Sequence, residues 1–247
     1  MIEFMSEFMG TMILVLLGEG VCANVSLKGT KGHDSGWIVV TMGWGLAVFT
    51  GVVIAQEFSG AHINPAVTLG LTAAGLFSPE KVPIFITAQM LGGAAGASLV
   101  WLFYKDHFDI STDKGAILGV FATGPAIRKP ISNVLSEVIG TFVLVFSVLY
   151  IAGPKMTSDT AEINVGLGSL GAIPVALIVV SIGLSLGGTT GYAINPARDL
   201  GPRLIHALAP IKNKGDSDWQ YAWVPVVGPI LGALLAALIY LCGPEIV

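Results

Sequence analysis

Two short stretches of the chain set an amide side chain, a proline and small residues in the same order. The first is Ser59-Gly60-Ala61-His62-Ile63-Asn64-Pro65-Ala66-Val67 and the second Thr190-Gly191-Tyr192-Ala193-Ile194-Asn195-Pro196-Ala197-Arg198. Asn followed by Pro is a helix start, because the Asn oxygen caps the first turn and Pro tolerates a position whose N–H would have no partner. With its oxygen so used, each Asn presents its NH2 outward as a donor. The irregular residues ahead of the caps, Gly60, Ala61 and His62 and then Gly191, Tyr192 and Ala193, expose backbone carbonyls as acceptors. The helix N-termini add partial positive charge and unpaired N–H groups. Central donors flanked by acceptors can pass a hydroxyl or a water along without covalent change. A water held by both Asn residues must point its hydrogens away from the centre, which interrupts a proton wire, and the paired dipoles repel cations.

Arg198 lies three residues after Asn195 and shares the first turn of that helix. A cation there opposes the helix dipole and is costly at membrane depth. Two unfavourable terms at one residue argue for a task, namely donating to polar solutes and repelling cations at a narrow place.

The elements that must hold these groups are apolar spans. Only 11% of the 247 residues are charged, against about 25% in soluble domains, and the mean hydropathy is +0.79. The net charge of −4 gives no reason to expect a nucleic-acid partner. Six stretches, near 4–25, 36–56, 82–104, 132–153, 171–188 and 220–243, reach the roughly 20 residues that cross about 30 Å of hydrocarbon. The runs at 64–77 and 195–209 are too short and begin at the two Asn-Pro-Ala sites, as re-entrant half-helices would. Residues 4–25 lack a basic n-region, so they are expected to be a retained span.

The chain also repeats itself. Ser6-Glu7-Phe8-Met9-Gly10-Thr11 is echoed by Ser136-Glu137-Val138-Ile139-Gly140-Thr141, and Leu91-Gly92-Gly93-Ala94 by Leu231-Gly232-Ala233. The expected organisation is a single transmembrane channel domain with repeats of about 1–110 and 130–247. Each repeat holds three spans and one half-helix. Three is odd, so the second repeat enters from the other face and the half-helices meet near the midplane.

With these features assembled, the chain resembles the aquaporin family of membrane channels. The likeness rests on SGAHINPAVTLG at 59–70, GYAINPARDLGPR at 191–203 and the two Ser-Glu-x-x-Gly-Thr spans. Asp199, Arg203 and the pair Pro225-Val226 make it similar to the glycerol-facilitator branch. The resemblance implies an all-α membrane protein of six spans and two half-helices, passing glycerol, other small uncharged solutes and water by a cofactor-free passive route. It also implies a homotetramer in the cell membrane, with cytoplasmic termini. Its selectivity filter would fall on Trp44, Gly183, Tyr192 and Arg198. Two aromatic walls and a donor corner suit a polyol, with Gly183 leaving room for it. The branch often has Phe where this chain has Tyr192, and the added hydroxyl would favour water, urea or neutral small acids.

Other residues take plainer readings. Glu7 and Glu137 sit inside spans, where carboxylates ordinarily mark proton coupling; their matched places suggest acceptors for the re-entrant loops instead. His62 is expected to brace its loop. Glu19 has no acidic counterpart, and its role is left open between the outer vestibule and an oligomer contact. Cys22 and Cys242 lack disulfide or metal-ligand spacing. The pairs Gly92/Gly96, Gly183/Gly187 and Gly228/Gly232 have the spacing of close helix packing. An ion-coupled transporter would need acidic groups beside the path, and an enzyme would need a nucleophile set or metal cluster. One observation runs against the implied orientation. Cytoplasmic termini leave only Lys81 and Lys155 in inner loops, and Lys28, Lys31, Lys105, Lys114, Arg128, Lys129, Lys212 and Lys214 outside, the reverse of the positive-inside rule.

Overall fold

The computed structural model describes residues 1–157 and 162–243. The first half contains α1 (Ile2–Ser26), α2 (Trp37–Ser59), the short α3 (Pro65–Ala73) and α4 (Val82–Phe103). Two small helices follow, α5 (Lys105–Ile110) and α6 (Lys114–Phe121). The second half contains α7 (Pro130–Leu149), a two-stranded antiparallel ribbon of β1 (Lys155–Thr157) and β2 (Glu162–Asn164), α8 (Ile173–Leu186), the short α9 (Pro196–Leu208) and α10 (Val224–Cys242). Among the described residues, six helical segments are long and apolar enough to cross a membrane, α8 only together with the 3-10 turn Gly168–Ala172 that leads into it. They match the six expected spans to within a few residues at either end, and α3 and α9 start at the two Asn-Pro-Ala sites. The fold is all-α, six spans and two half-helices as expected, with the ribbon as a small addition in the 154–168 connection. The end of the expected second repeat, 244–247, lies outside the described residues.

Glycine sets how closely the spans cross. In the first half α1 packs on α2 and α4; in the second α7 packs on α8 and α10. A Cβ at Gly92 would collide with the carbonyl of Phe8, and one at Gly232 with the carbonyl of Val138. These matched residues let the backbones of α1 and α4, and of α7 and α10, touch. The halves then interlock, since α3 packs on α10 and α9 on α4. At that second contact a Cβ at Gly93 would stand 2.5 Å from the carbonyl oxygen of Ala197.

The connection at 105–131 holds α5 and α6, which the span reading treats as loop. The local causes are readable. Asp113 caps α6 by accepting from the N–H groups of Gly115 and Ala116 at 2.8 and 3.1 Å. Ile117, Val120 and Phe121 form one buried face, and Phe121 stacks on Phe108 of α5 with centroids 5.4 Å apart. The far end of α9 is also held. The Lys214 ammonium donates to the carbonyls of His206, Ala207 and Ala209 at 2.7, 2.7 and 2.6 Å. A cation at a helix C-terminus complements the dipole and occupies carbonyls that lack intrahelical donors.

The crossings yield a stability test. A Cβ at Gly96 would stand 2.5 Å from the carbonyl oxygen of Met12 and 2.9 Å from the Cβ of Val15. Gly96→Val should therefore lower the thermal midpoint of detergent-purified protein, through overpacking worth about 1–3 kcal/mol. Gly119 of α6 has nothing within 4 Å of its added Cβ, so Gly119→Ala should not lower the midpoint and should raise stability by up to about 1 kcal/mol through helix propensity.

Candidate functional site

The two re-entrant loops carry unusual backbone. Gly60, Ala61 and Ile63 have φ of +81°, +53° and +43°, and Gly191, Tyr192 and Ile194 have +82°, +39° and +43°. Positive φ is uncommon outside glycine and worst for β-branched residues. Two isoleucines at matching places therefore mean that surrounding contacts over-determine the conformation.

Those contacts come from α1 and α7. The Glu7 carboxylate accepts from the N–H of His62 at 2.9 Å and of Ile63 at 2.7 Å. Glu137 accepts from the N–H of Ala193 at 3.0 Å and of Ile194 at 2.9 Å. One turn on, Gly10 and Gly140 make room for the isoleucine side chains. An added Cβ would lie 2.9 Å from Ile63 Cγ2 and 3.1 Å from Ile194 Cγ2, respectively. The Glu-x-x-Gly spacing thus puts an anchor and a socket on one helical face. Glu7 also accepts from Ser59 Oγ at 2.6 Å and from Gln89 Nε2 at 2.7 Å. The other proton of that Gln89 amide goes to Thr68 Oγ1 at 3.0 Å. Thr190 stands beside Glu137 as Ser59 does beside Glu7. Both carboxylates are buried and fully engaged with donors, which is what makes a buried charge tolerable.

With the N–H groups turned toward the carboxylates, the carbonyls are left over. Among the described residues, those of Gly60, Ala61, His62, Gly191, Tyr192 and Ala193 accept no hydrogen bond from the protein. The Asn caps form as expected. Asn64 Oδ1 accepts from Ala66 N at 2.8 Å, and Asn195 Oδ1 from Ala197 N at 3.0 Å and Arg198 N at 3.3 Å. The amide groups depart from the sequence expectation. Asn64 Nδ2 donates to the Ile194 carbonyl at 2.8 Å and Asn195 Nδ2 to the Ile63 carbonyl at 2.9 Å. Each NH2 spends one proton bracing the opposite loop and keeps one for other use.

One cavity of about 290 Å³ runs past this joint. Its wall includes Gln56 and Gly60 at one end, Asn64 and Asn195 in the middle and Trp44, Tyr192 and Arg198 at the other, with Ala61, His62 and Ala193 between. From Trp44 to Gln56 along α2 is about 18 Å at 1.5 Å per residue. Leu14, Val48, Val52, Leu144, Val148 and Val179 supply an apolar side. His62 is packed against Phe77 and Phe85, with centroids 4.5 and 4.9 Å away, and its Nδ1 meets Thr68 Oγ1 at 3.1 Å.

Three of the four residues expected at the constriction come together. The Arg198 guanidinium lies 4.1 Å from the centre of the Trp44 ring, and Tyr192 joins them in the wall. Arg198 Nη1 and the Tyr192 hydroxyl have no partner among the described residues. Gly183 is not in the wall. A Cβ there would stand 2.9 Å from Tyr192 Cζ and 2.9 Å from Thr41 Cγ2, so the room it leaves is filled by the tyrosine ring rather than kept for a solute. Trp37 holds that arrangement, donating from Nε1 to the Gly183 carbonyl at 2.9 Å and meeting Tyr192 edge-on at 5.8 Å. Gly191 is also off the wall, turned at φ +82° with its open side toward Thr123. Sequence reasoning missed Trp37, although its place just inside the start of α2 puts it two turns from Trp44.

Behind the constriction, Asp199 and Arg203 form a fully buried ion pair, with Nε and Nη2 of Arg203 at 2.9 and 2.8 Å from Asp199 Oδ1. Asp199 Oδ2 accepts from the N–H and hydroxyl of Thr123, both at 2.7 Å. Arg203 donates to the carbonyls of Thr123 and Ser217 at 2.9 and 2.8 Å. Every polar edge of the pair is used, so it ties the connections at Thr123 and Ser217 to α9.

The family model described as "Major intrinsic protein" matches residues 1–240. The chain belongs to the major intrinsic protein family. Among relatives, it is 54% identical over 237 residues to a protein of Thermotoga maritima described as a probable glycerol uptake facilitator protein, covering 96% of this chain and 97% of the relative. It is 50% identical over 238 residues to the glycerol uptake facilitator protein of a Streptococcus pneumoniae strain, covering 96% and 97%. The X-ray structure of the aquaglyceroporin from Plasmodium falciparum superposes with a TM-score of 0.81 at 33% identity, covering 96% of this chain and 94% of that one. In this major intrinsic protein the carboxylate anchors make the sharpest test of the site. Glu137→Gln swaps an acceptor-only group for one whose NH2 faces two N–H donors. It should destabilise the protein by about 2–4 kcal/mol and collapse solute flux; Glu137→Asp should retain part of both. Thermal midpoints and proteoliposome flux on the same preparations check it.

Proposed function

We propose that the protein is a passive channel for glycerol and other small uncharged solutes, with water passing too, and that protons and ions are excluded. The observation that carries this is the two-sided cavity: unpaired carbonyls, two Asn amides and the Arg198–Tyr192 pair on one side, apolar side chains on the other. A polyol has the matching form, hydroxyls along one edge and carbons along the other. The relatives described as glycerol uptake facilitators support the substrate class.

In this account Trp44, Tyr192 and Arg198 form the selectivity filter, and Gly183 acts by seating the tyrosine ring. Asn64 and Asn195 are the central donors, and the carbonyls at Gly60, Ala61, His62 and Ala193 are the acceptors along the wall. The Tyr192 hydroxyl extends the solute range toward urea and neutral small acids. The chain functions as one transmembrane channel domain of two inverted repeats, with cytoplasmic termini, the Arg198 mouth outward, and four copies assembled in the cell membrane. Glu7 and Glu137, the carboxylates beside the re-entrant loops, are committed to backbone N–H groups, so neither is free to couple an ion to transport.

Proteoliposomes test this directly. Under an inward glycerol gradient they should swell far faster than protein-free vesicles, at a rate unaffected by sodium or pH gradients; uptake that requires an ion gradient would overturn the proposal. In the same assay Gly183→Ala, which drives the Tyr192 ring toward the cavity, should cut glycerol flux by on the order of tenfold, the effect of a barrier change of ~1.4 kcal/mol, and spare water more than glycerol.

A further inference from the structure

His62 belongs to the cavity wall, between Gly60 and the Asn joint, and the loop does not need its ring for its shape. The second loop takes nearly the same left-handed φ values with Ala193 at the matching place, two residues before Asn195. The Glu7 anchor does not call for a histidine either, since it holds only the backbone N–H of that residue.

What the ring can do depends on which nitrogen carries its proton, for a neutral imidazole has one N–H and one bare acceptor. The surrounding hydrogen bonds decide between them. Glu7 is an acceptor only, so the Gln89 group 2.7 Å from its Oε2 is the NH2. The Gln89 oxygen stays without a partner among the described residues; turning the amide over would set that oxygen against the carboxylate. The second Gln89 proton goes to Thr68 Oγ1 at 3.0 Å. That hydroxyl has one proton of its own and two further neighbours, the Asn64 carbonyl and His62 Nδ1, both at 3.1 Å. Given to Nδ1, the proton would leave two oxygens facing each other with no hydrogen between them. Given to Asn64, it lets Nδ1–H donate to Thr68, and all three contacts are made. His62 is then the Nδ1–H tautomer and its Nε2 a bare acceptor. Nε2 has no partner among the described residues and is not one of the sealed polar atoms, so it opens on the cavity.

We propose that the His62 side chain is a solute contact of the channel: Nε2 accepts a hydrogen bond from a solute hydroxyl or a water, and Thr68 and Gln89 are the positioning residues that fix its tautomer. This rests on the channel reading given above. The polar groups from Gly60 to His62 are then acceptors alone. They serve solutes that bring hydroxyl or N–H hydrogens, and they let a water turn its hydrogens away from the joint, as the two Asn donors require.

Nitrogen-15 magic-angle-spinning NMR of isotope-labelled protein in lipid reads the tautomer directly, with the His62 ring assigned through its correlation to the Ile63 amide. The expected spectrum has hydrogen on Nδ1, none on Nε2, and an Nε2 resonance that moves when glycerol is added. Hydrogen on Nε2 would overturn the proposal, as would an Nε2 resonance that glycerol leaves in place. Thr68→Val removes the hydroxyl at nearly constant volume. It should let the ring take up Nε2–H and cut glycerol flux in proteoliposomes about fivefold, the effect of losing one solute hydrogen bond. Thr68→Ser, which keeps the hydroxyl, should match the parent in both readouts. A merely structural role would lower flux without moving the proton, so either change in Thr68→Val without the other, or neither, would overturn the proposal. If Thr68→Val does not fold, the parent spectrum decides by itself. A parent that passes no glycerol would overturn the channel reading and this inference with it; a parent that passes glycerol while carrying Nε2–H would overturn this inference alone.

Discussion

Each of two buried carboxylates, Glu7 and Glu137, holds two consecutive backbone N–H groups of a re-entrant loop. An acceptor-only group at that spot compels the N–H vectors to face it, and the left-handed φ values at Ile63 and Ile194 are the geometric result. The carbonyls must then face the other way, into the cavity. The strain of placing β-branched residues at positive φ is offset by charge-assisted hydrogen bonds, which are roughly twice as strong as neutral ones, and by the sockets at Gly10 and Gly140. Acceptors along the wall, donors at the Asn joint and the aim of both half-helices follow from that single arrangement.

The joint between the halves obeys the same economy of polar groups. Each Asn caps its own helix with its oxygen and braces the opposite loop with one amide proton, so the tips of α3 and α9 are tied crosswise rather than merely facing. The Trp44–Tyr192–Arg198 end of the cavity is fixed from behind. Gly183 gives the Tyr192 ring a seat, Trp37 holds that seat, and Cys22 and Gly18 hold Trp44. The Asp199–Arg203 pair locks the loops that roof it. Little of this end of the cavity is free to adjust, which suits the filter role proposed for it.

Much of this could be read from residues alone. The six spans announce themselves by length and apolarity, because lipid leaves no alternative for satisfying their backbones. The half-helices show in the Asn-Pro-Ala starts, and the anchoring role of Glu7 and Glu137 in their matched places. What stayed hidden depends on contacts between distant segments. The cross-brace from Asn64 to Ile194 joins residues 130 apart, and nothing local to either shows it. The sequence suggested that Gly183 left space for a solute, but only packing shows that Tyr192 takes that space. The helix at 114–121 was legible in principle, from the Asp113 cap and the Ile117/Val120/Phe121 stripe, and lay concealed by the charged connection around it. The Lys214 clamp on α9 depends on a turn whose path no periodicity describes.

The most direct measurement of the central claim is residue-resolved amide hydrogen exchange of the protein in lipid nanodiscs. If the two carboxylates hold the loop N–H groups, the amides of His62, Ile63, Ala193 and Ile194 exchange as slowly as those in the middle of α1 and α7, although the cavity wall is one residue away. Exchange at those four amides as fast as in the exposed connection at 212–216 would mean that they face the cavity water, and would contradict the account.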